Sequence, residues 1–219
     1  MATSTTADEI QTLDELLQNL GRIALGRVRV RPPLGTATEA DLIATNERKQ
    51  GICELVDGVL VEKAMGLLES LLAGALIAYL RAYVIPRNLG IVTTPDGMLR
   101  LAPGIVRAPD VAFIAWGRIS GGKLSSEAIG SFAPDLAVEI LSRGNTKAEM
   151  ARKRREYFAA GVHLVWEVDP VSRTVAVFHS SEEFTLLDET ETLDGGAVLP
   201  GFVLSLGDLF SDLDRQGGV

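Results

Sequence analysis

Pro134-Asp-Leu-Ala-Val-Glu-Ile-Leu-Ser142 is the stretch on which the fold turns. Side chains alternate faces along a strand, so Leu136, Val138 and Ile140 point one way and Ala137, Glu139 and Leu141 the other. Glu139 therefore shares a face with apolar neighbours. A buried lone carboxylate needs a proton, an ion-pair partner or a metal. A second acid repeats the pattern: Asp110 sits in Ala108-Pro-Asp-Val-Ala-Phe-Ile-Ala115, and both acids follow a proline by a short interval. Two carboxylates on neighbouring strands repel each other unless a cation lies between them, and a divalent cation with oxygen ligands resolves that conflict. The alternative is that each acid pairs with Arg or Lys, or accepts from a backbone N–H.

Downstream, Asn145 to Ala160 has the marks of a helix. Thr146-x-x-Glu149 forms a capping box at its start, and Gly161 is placed to stop it. Glu149, Lys153 and Tyr157 fall on one stripe of this helix. Lys153 is either a surface partner of Glu149 or the group that leans over the two acids, orienting a water or steadying a developing charge. From Arg143 to Arg155 there are six basic residues against one acid. Such a run is either a solvated helix face or, beside an acidic metal site, a contact for backbone phosphates.

Upstream, Cys53 to Glu62 reads as a hairpin turned by Asp57-Gly58. Gly66 to Val84 is a helix, apolar almost all round, so it should be covered on most sides. Gly90–Thr94, Met98–Ala102 and Val106–Trp116 read as three strands. After the basic helix come β-runs at Val162–Val168, Thr174–His179 and Glu183–Leu187, then a docked loop with a short helix. Ala7–Leu20 and Thr36–Arg48 read as amphipathic helices of an appendage. The order predicts an α/β domain, a mixed sheet flanked by helices. Residues 1–49 form a helical extension, 50–210 the main domain and 211–219 a tail.

Composition narrows the function. The chain has 219 residues, 47% of them hydrophobic and 23% charged, which suits a folded domain. Its net charge of −8 argues against a general nucleic-acid coat and leaves a local basic strip. The lone Cys53 excludes an intrachain disulfide, and His163 and His179 are too few for a Cys/His zinc cluster. A reducing cytoplasm fits. No signal peptide or membrane span is expected; the most apolar window, Leu71–Leu80, is about half the ~20 residues that cross a bilayer. No Gly-x-Ser-x-Gly elbow supports a serine hydrolase.

Four blocks together are similar to the Uma2 family: Glu-Leu-Val-Asp-Gly-Val-Leu-Val (54–61), Pro-Asp-Val-Ala-Phe-Ile (109–114), Pro-Asp-Leu-Ala-Val-Glu-Ile-Leu-Ser (134–142), and Lys-x-x-x-Tyr-x-x-x-Gly-Val (153–162) followed by Val-Trp-Glu-Val-Asp-Pro (165–170). The resemblance covers about residues 50 to 210. It implies a restriction-endonuclease-like PD-(D/E)xK fold and a magnesium- or manganese-dependent phosphodiesterase acting on nucleic acid, DNA in first place. Carried over, Asp110 and Glu139 are the metal-binding acids. Leu141 stands where the superfamily has its Lys, and Lys153 substitutes from the following helix. Glu69 is a further candidate metal ligand, or else a helix-end Glu facing solvent. Arg152, Arg154 and Arg155 are candidates for backbone phosphates. The negative net charge points to a confined groove or to a homodimer that pools two basic strips. The alternatives are a nuclease-fold module that binds nucleic acid or a protein without turnover, and a protein whose acids are paired in its core.

Overall fold

The computed structural model describes residues 10–48 and 51–215. Two short helices lead: α1 (Leu13–Asn19) and α2 (Glu39–Glu47). A hairpin, β1 (Cys53–Val56) and β2 (Val59–Glu62), precedes the long α3 (Leu67–Val84). Next come β3 (Gly90–Thr93), β4 (Met98–Ala102), β5 (Ile105–Arg107), β6 (Val111–Ala115), β7 (Ile129–Gly130) and β8 (Leu136–Ile140). After α4 (Lys147–Ala159) follow β9 (Leu164–Asp169), β10 (Thr174–Phe178) and β11 (Phe184–Asp188). The chain closes with β12 (Thr192–Gly195), β13 (Leu199–Ser205) and α5 (Leu206–Ser211).

These strands make a mixed α/β fold with two principal sheets where the sequence suggested one. The first runs β2-β1-β5-β4-β7 and the second β11-β10-β9-β8-β6-β3. Parallel pairing of β8 with β9, joined through α4, mixes the second sheet. The run Val106–Trp116 is therefore two strands, not one. Proline has no N–H to give a ladder, and Pro109 breaks the run. The half before it pairs with β1 and β4, the half after it with β3 and β8. Ala108 to Asp110 is thus the point where the chain passes from one sheet to the other.

Each face of the second sheet has its own cover. Leu72, Leu76, Leu80 and Val84 of α3 pack on Val111, Phe113, Leu136, Val138, Ile140 and Trp166. On the opposite face Tyr157 of α4 packs with Ala137, Val162, Val165 and Phe178. Thr146 and Glu149 form the expected capping box, and Gly161 takes a positive φ of 86° just past the helix end.

Three expectations change. The 18 residues of α3 have a mean hydropathy of 1.5, so by length and composition alone the helix could cross a membrane, yet only 28% of it is buried. One stripe faces the sheet, and Leu67, Leu68 and Leu71 on the remainder are exposed. The first helix is shorter than Ala7–Leu20: Thr12 caps it and Glu15 returns the bond, while residues 7–9 lie outside those described. The tail before α5 is a hairpin, with Gly201 at φ 87° inside a strand that also holds Pro200. These two loop-forming residues disguise the strand in the sequence.

The leading segment is packed, not loose. Leu16, Leu20 and Ile23 share a core with Val56, Val59 and Val61. Arg27 grips Glu149 of α4 with two bonds, of 2.9 and 2.6 Å.

Candidate active site

Asp110 begins where Pro109 ends one sheet and the next opens. Its N–H donates to the Val138 carbonyl at 2.9 Å, and its Oδ2 accepts from the Ile140 N–H at 2.7 Å. It is therefore held against the residue next to Glu139. Alternation puts the two side chains on one face. Val111 and Phe113 join the α3 core while Ala112 and Ile114 pack on the other side with Leu99, so Asp110 belongs to that other side. In β8, Val138 and Ile140 face α3 and Ala137 faces Tyr157, so Glu139 also looks toward α4. Asp110, Glu139 and Lys153 are all buried, at 4%, 3% and 2% exposure.

Each acid has a cationic partner. The Lys153 ammonium lies 2.9 Å from Glu139 Oε2 and 3.3 Å from Glu54 Oε1, so it bridges β8 and β1 across the two sheets. The Tyr157 hydroxyl donates to Glu139 Oε1. Lys63, just past β2, donates to Asp110 Oδ1 at 2.8 Å. Glu54 accepts from the Ala108 N–H at 3.1 Å and from Arg107 at 2.8 Å. Arg107 reaches on to Glu156, which Arg152 holds at 2.6 Å. The alternative of acids paired in the core is thus met in the geometry, alongside the close approach of Asp110 to Glu139.

The electrostatics separate the carboxylates. Burial pushes the Glu54 carboxyl up, but Lys153, Arg107 and Lys63 outweigh it and hold it down at about 2. Burial also pushes Glu139 up, and here it wins: Lys153 and Lys63 oppose the rise, while Asp110 and Glu54 add repulsion. Burial lowers Lys153, yet Glu139 and Glu54 raise it well above the ordinary lysine range, so it stays charged. Tyr157 is raised by burial and by Glu139, so it remains a donor.

The other expected residues scatter. A groove of about 960 Å³ has Lys63, Glu69, Leu141, Ser142, Arg143 and Arg154 on its wall; Asp110, Glu139 and Lys153 do not line it, and Lys63 is the residue that joins the groove to Asp110. Glu69 is on the first turn of α3, and among the described residues no three of His, Cys, Asp and Glu form a metal-binding group. Arg152 faces inward, to Asp57 at 2.6 Å, Glu156 and the Asn19 carbonyl. Arg154 turns to Glu167 at 2.6 Å and covers the Phe178 ring. Arg155 is exposed. The three arginines point three ways, as a helical turn requires.

Sequence reasoning missed Glu54, Lys63 and Arg107. Glu54 carried a readable signal: it is an acid inside an apolar hairpin strand, the same mark that singled out Glu139. Lys63 and Arg107 carried none, because their partners come from distant segments.

Asp110 and Glu139 thus meet at a strand junction, and Lys153 reaches Glu139 from the following helix. Residues 41–207 match the model described as "Uma2: Putative restriction endonuclease", and the chain belongs to that family. Among solved structures it is similar to one described as a "putative nuclease belonging to DUF820" from Anabaena variabilis. The TM-score is 0.67 and the identity 22%, with 75% of this chain and 92% of that chain covered. That likeness supports the fold. No curated protein matches.

Proposed function

We propose that this protein is a metal-dependent endonuclease that hydrolyses phosphodiester bonds of DNA. The observation that carries the reading is the placement of Asp110 beside Glu139, with Asp110 Oδ2 on the Ile140 N–H at 2.7 Å and Lys153 at 2.9 Å from Glu139.

The residues fit a hard divalent cation. Mg²⁺ is commonly held by one or two carboxylates with waters and substrate phosphates, so two acids suffice without a third protein ligand. The neighbourhood already takes positive charge, since Lys63 and Lys153 lie against the two acids. Asp110 and Glu139 would hold Mg²⁺ or Mn²⁺. When bound, the ion lowers the pKa of a water and offsets charge on the phosphate. Lys153 fixes Glu139 and supplies a permanent charge where negative charge would develop, and Tyr157 fixes the other Glu139 oxygen. Glu69 on the groove wall is a candidate outer contact to the ion through water. Exposed Arg155 is the first candidate for backbone phosphates; Arg154 lines the groove but would have to leave Glu167, and Arg152 is spent on Asp57 and Glu156. We place the protein in the cytoplasm, in keeping with its single Cys53, and as a homodimer, which the exposed apolar side of α3 favours.

The second reading is a nuclease-fold module that binds nucleic acid without turnover. The lysine on each acid favours it, because a fully paired acid has no free charge for an ion. Plasmid nicking with Mg²⁺ separates the two. Activity in the parent, lost in both Glu139→Gln and Asp110→Asn, supports the endonuclease. Cleavage unchanged by both substitutions removes the assignment, and DNA binding without cleavage in the parent selects the binding module.

A further inference from the structure

Lys63 occupies an unusual seat. Its ammonium contacts Asp110 Oδ1 at 2.8 Å, the Ala108 carbonyl, and the Pro95 carbonyl at 3.4 Å. One carboxylate and two carbonyls are the oxygen donors that hold a hard divalent cation. The side chain is only 4% exposed, yet Lys63 is on the groove wall. Lys153 differs: it is clamped between Glu139 and Glu54.

We propose that Lys63 is a resident counter-cation which the divalent metal displaces from Asp110. This rests on the reading that Asp110 and Glu139 hold the metal. A divalent ion on Asp110 would stand close to the Lys63 ammonium, now 2.8 Å from Oδ1, and like charges at that range in a buried site repel, so the ion and the ammonium compete for Asp110. Lysine is a compact charge on a flexible four-carbon stem, so it can leave by side-chain rotation alone. The backbone N–H of Lys63 stays on the Ile52 carbonyl at 2.8 Å, which anchors the residue while its tip moves. The groove beside it has room for the released ammonium. In the metal-free protein the same ammonium keeps Asp110 from standing as a lone buried charge.

The test is calorimetric titration of the full chain with Mn²⁺. The parent binds, Asp110→Asn does not, and Lys63→Met binds about tenfold tighter or more, as expected when a competing state is removed. Equal or weaker binding by Lys63→Met overturns the proposal while parent binding leaves the metal reading standing. Absence of binding in both parent and Lys63→Met overturns the two together. Should Lys63→Met fail to fold, amine acetylation of the parent, followed by peptide mass spectrometry, carries the test. Lys63 is protected without Mn²⁺ and labelled several-fold faster with it; an unchanged rate overturns the proposal.

Discussion

Lys153→Met removes the ammonium that joins the two sheets and keeps much of its volume. In the parent the charge lies 2.9 Å from Glu139 and 3.3 Å from Glu54, with all three side chains buried. Removing one member of a buried ion pair costs about 3–5 kcal/mol, because it leaves unpaired charge in the interior. Glu54 keeps Arg107, which places the loss toward the lower half of that range. In a chain of this size about 2–4 °C of Tm accompanies each kcal/mol, so Tm falls by roughly 6–16 °C. The pH dependence has a definite sign. In the parent, Glu54 is held at about 2, below its ordinary 4.5. Its contribution is therefore full above 4.5 and is lost as pH falls through 2. Without Lys153 both carboxyls take up protons more readily in the folded state, so acid relieves the variant and its deficit shrinks from pH 7 to pH 5. Urea denaturation followed by the fluorescence of buried Trp166 at both pH values measures this. A loss under about 1 kcal/mol, the range of an exposed ion pair, or a deficit independent of pH would refute the bridging role.

Two further outcomes follow from the packing. Arg27→Met breaks the two-bond grip on Glu149, and urea denaturation should show a loss of about 3 kcal/mol because a buried carboxylate loses its partner. An unchanged midpoint would mean that the leading segment does not brace α4. Gly58→Ala should lose more than about 1 kcal/mol in the same assay, since φ is +73° and a Cβ would stand 2.3 Å from the Gly35 carbonyl oxygen. A neutral result would show that the β1–β2 turn can take another form.

Local chemistry was legible in the sequence, and distant partnership was not. Asp57-Gly58 marked the first hairpin because both residues take positive φ, at 49° and 73°. Thr146 and Glu149 marked the start of α4 by a bond pattern confined to four residues. The acids Asp110 and Glu139 stood out because each interrupts an apolar run. Val106–Trp116 misled because its composition is strand-like on both sides of Pro109, and composition does not say that the halves enter different sheets. The tail hairpin was hidden by Gly201 and Pro200, which belong to an irregular strand here. Lys63 could not be paired with Asp110 by any pattern, since 47 positions separate them and only the meeting of the two sheets brings them together.

Crystals soaked in Mn²⁺ offer the most direct check on the acid pair. The account predicts anomalous density touching both Asp110 and Glu139, with the Lys63 ammonium withdrawn from Asp110. Clean density for both acids with Lys63 and Lys153 still in place, and no manganese peak at saturating metal, would contradict it.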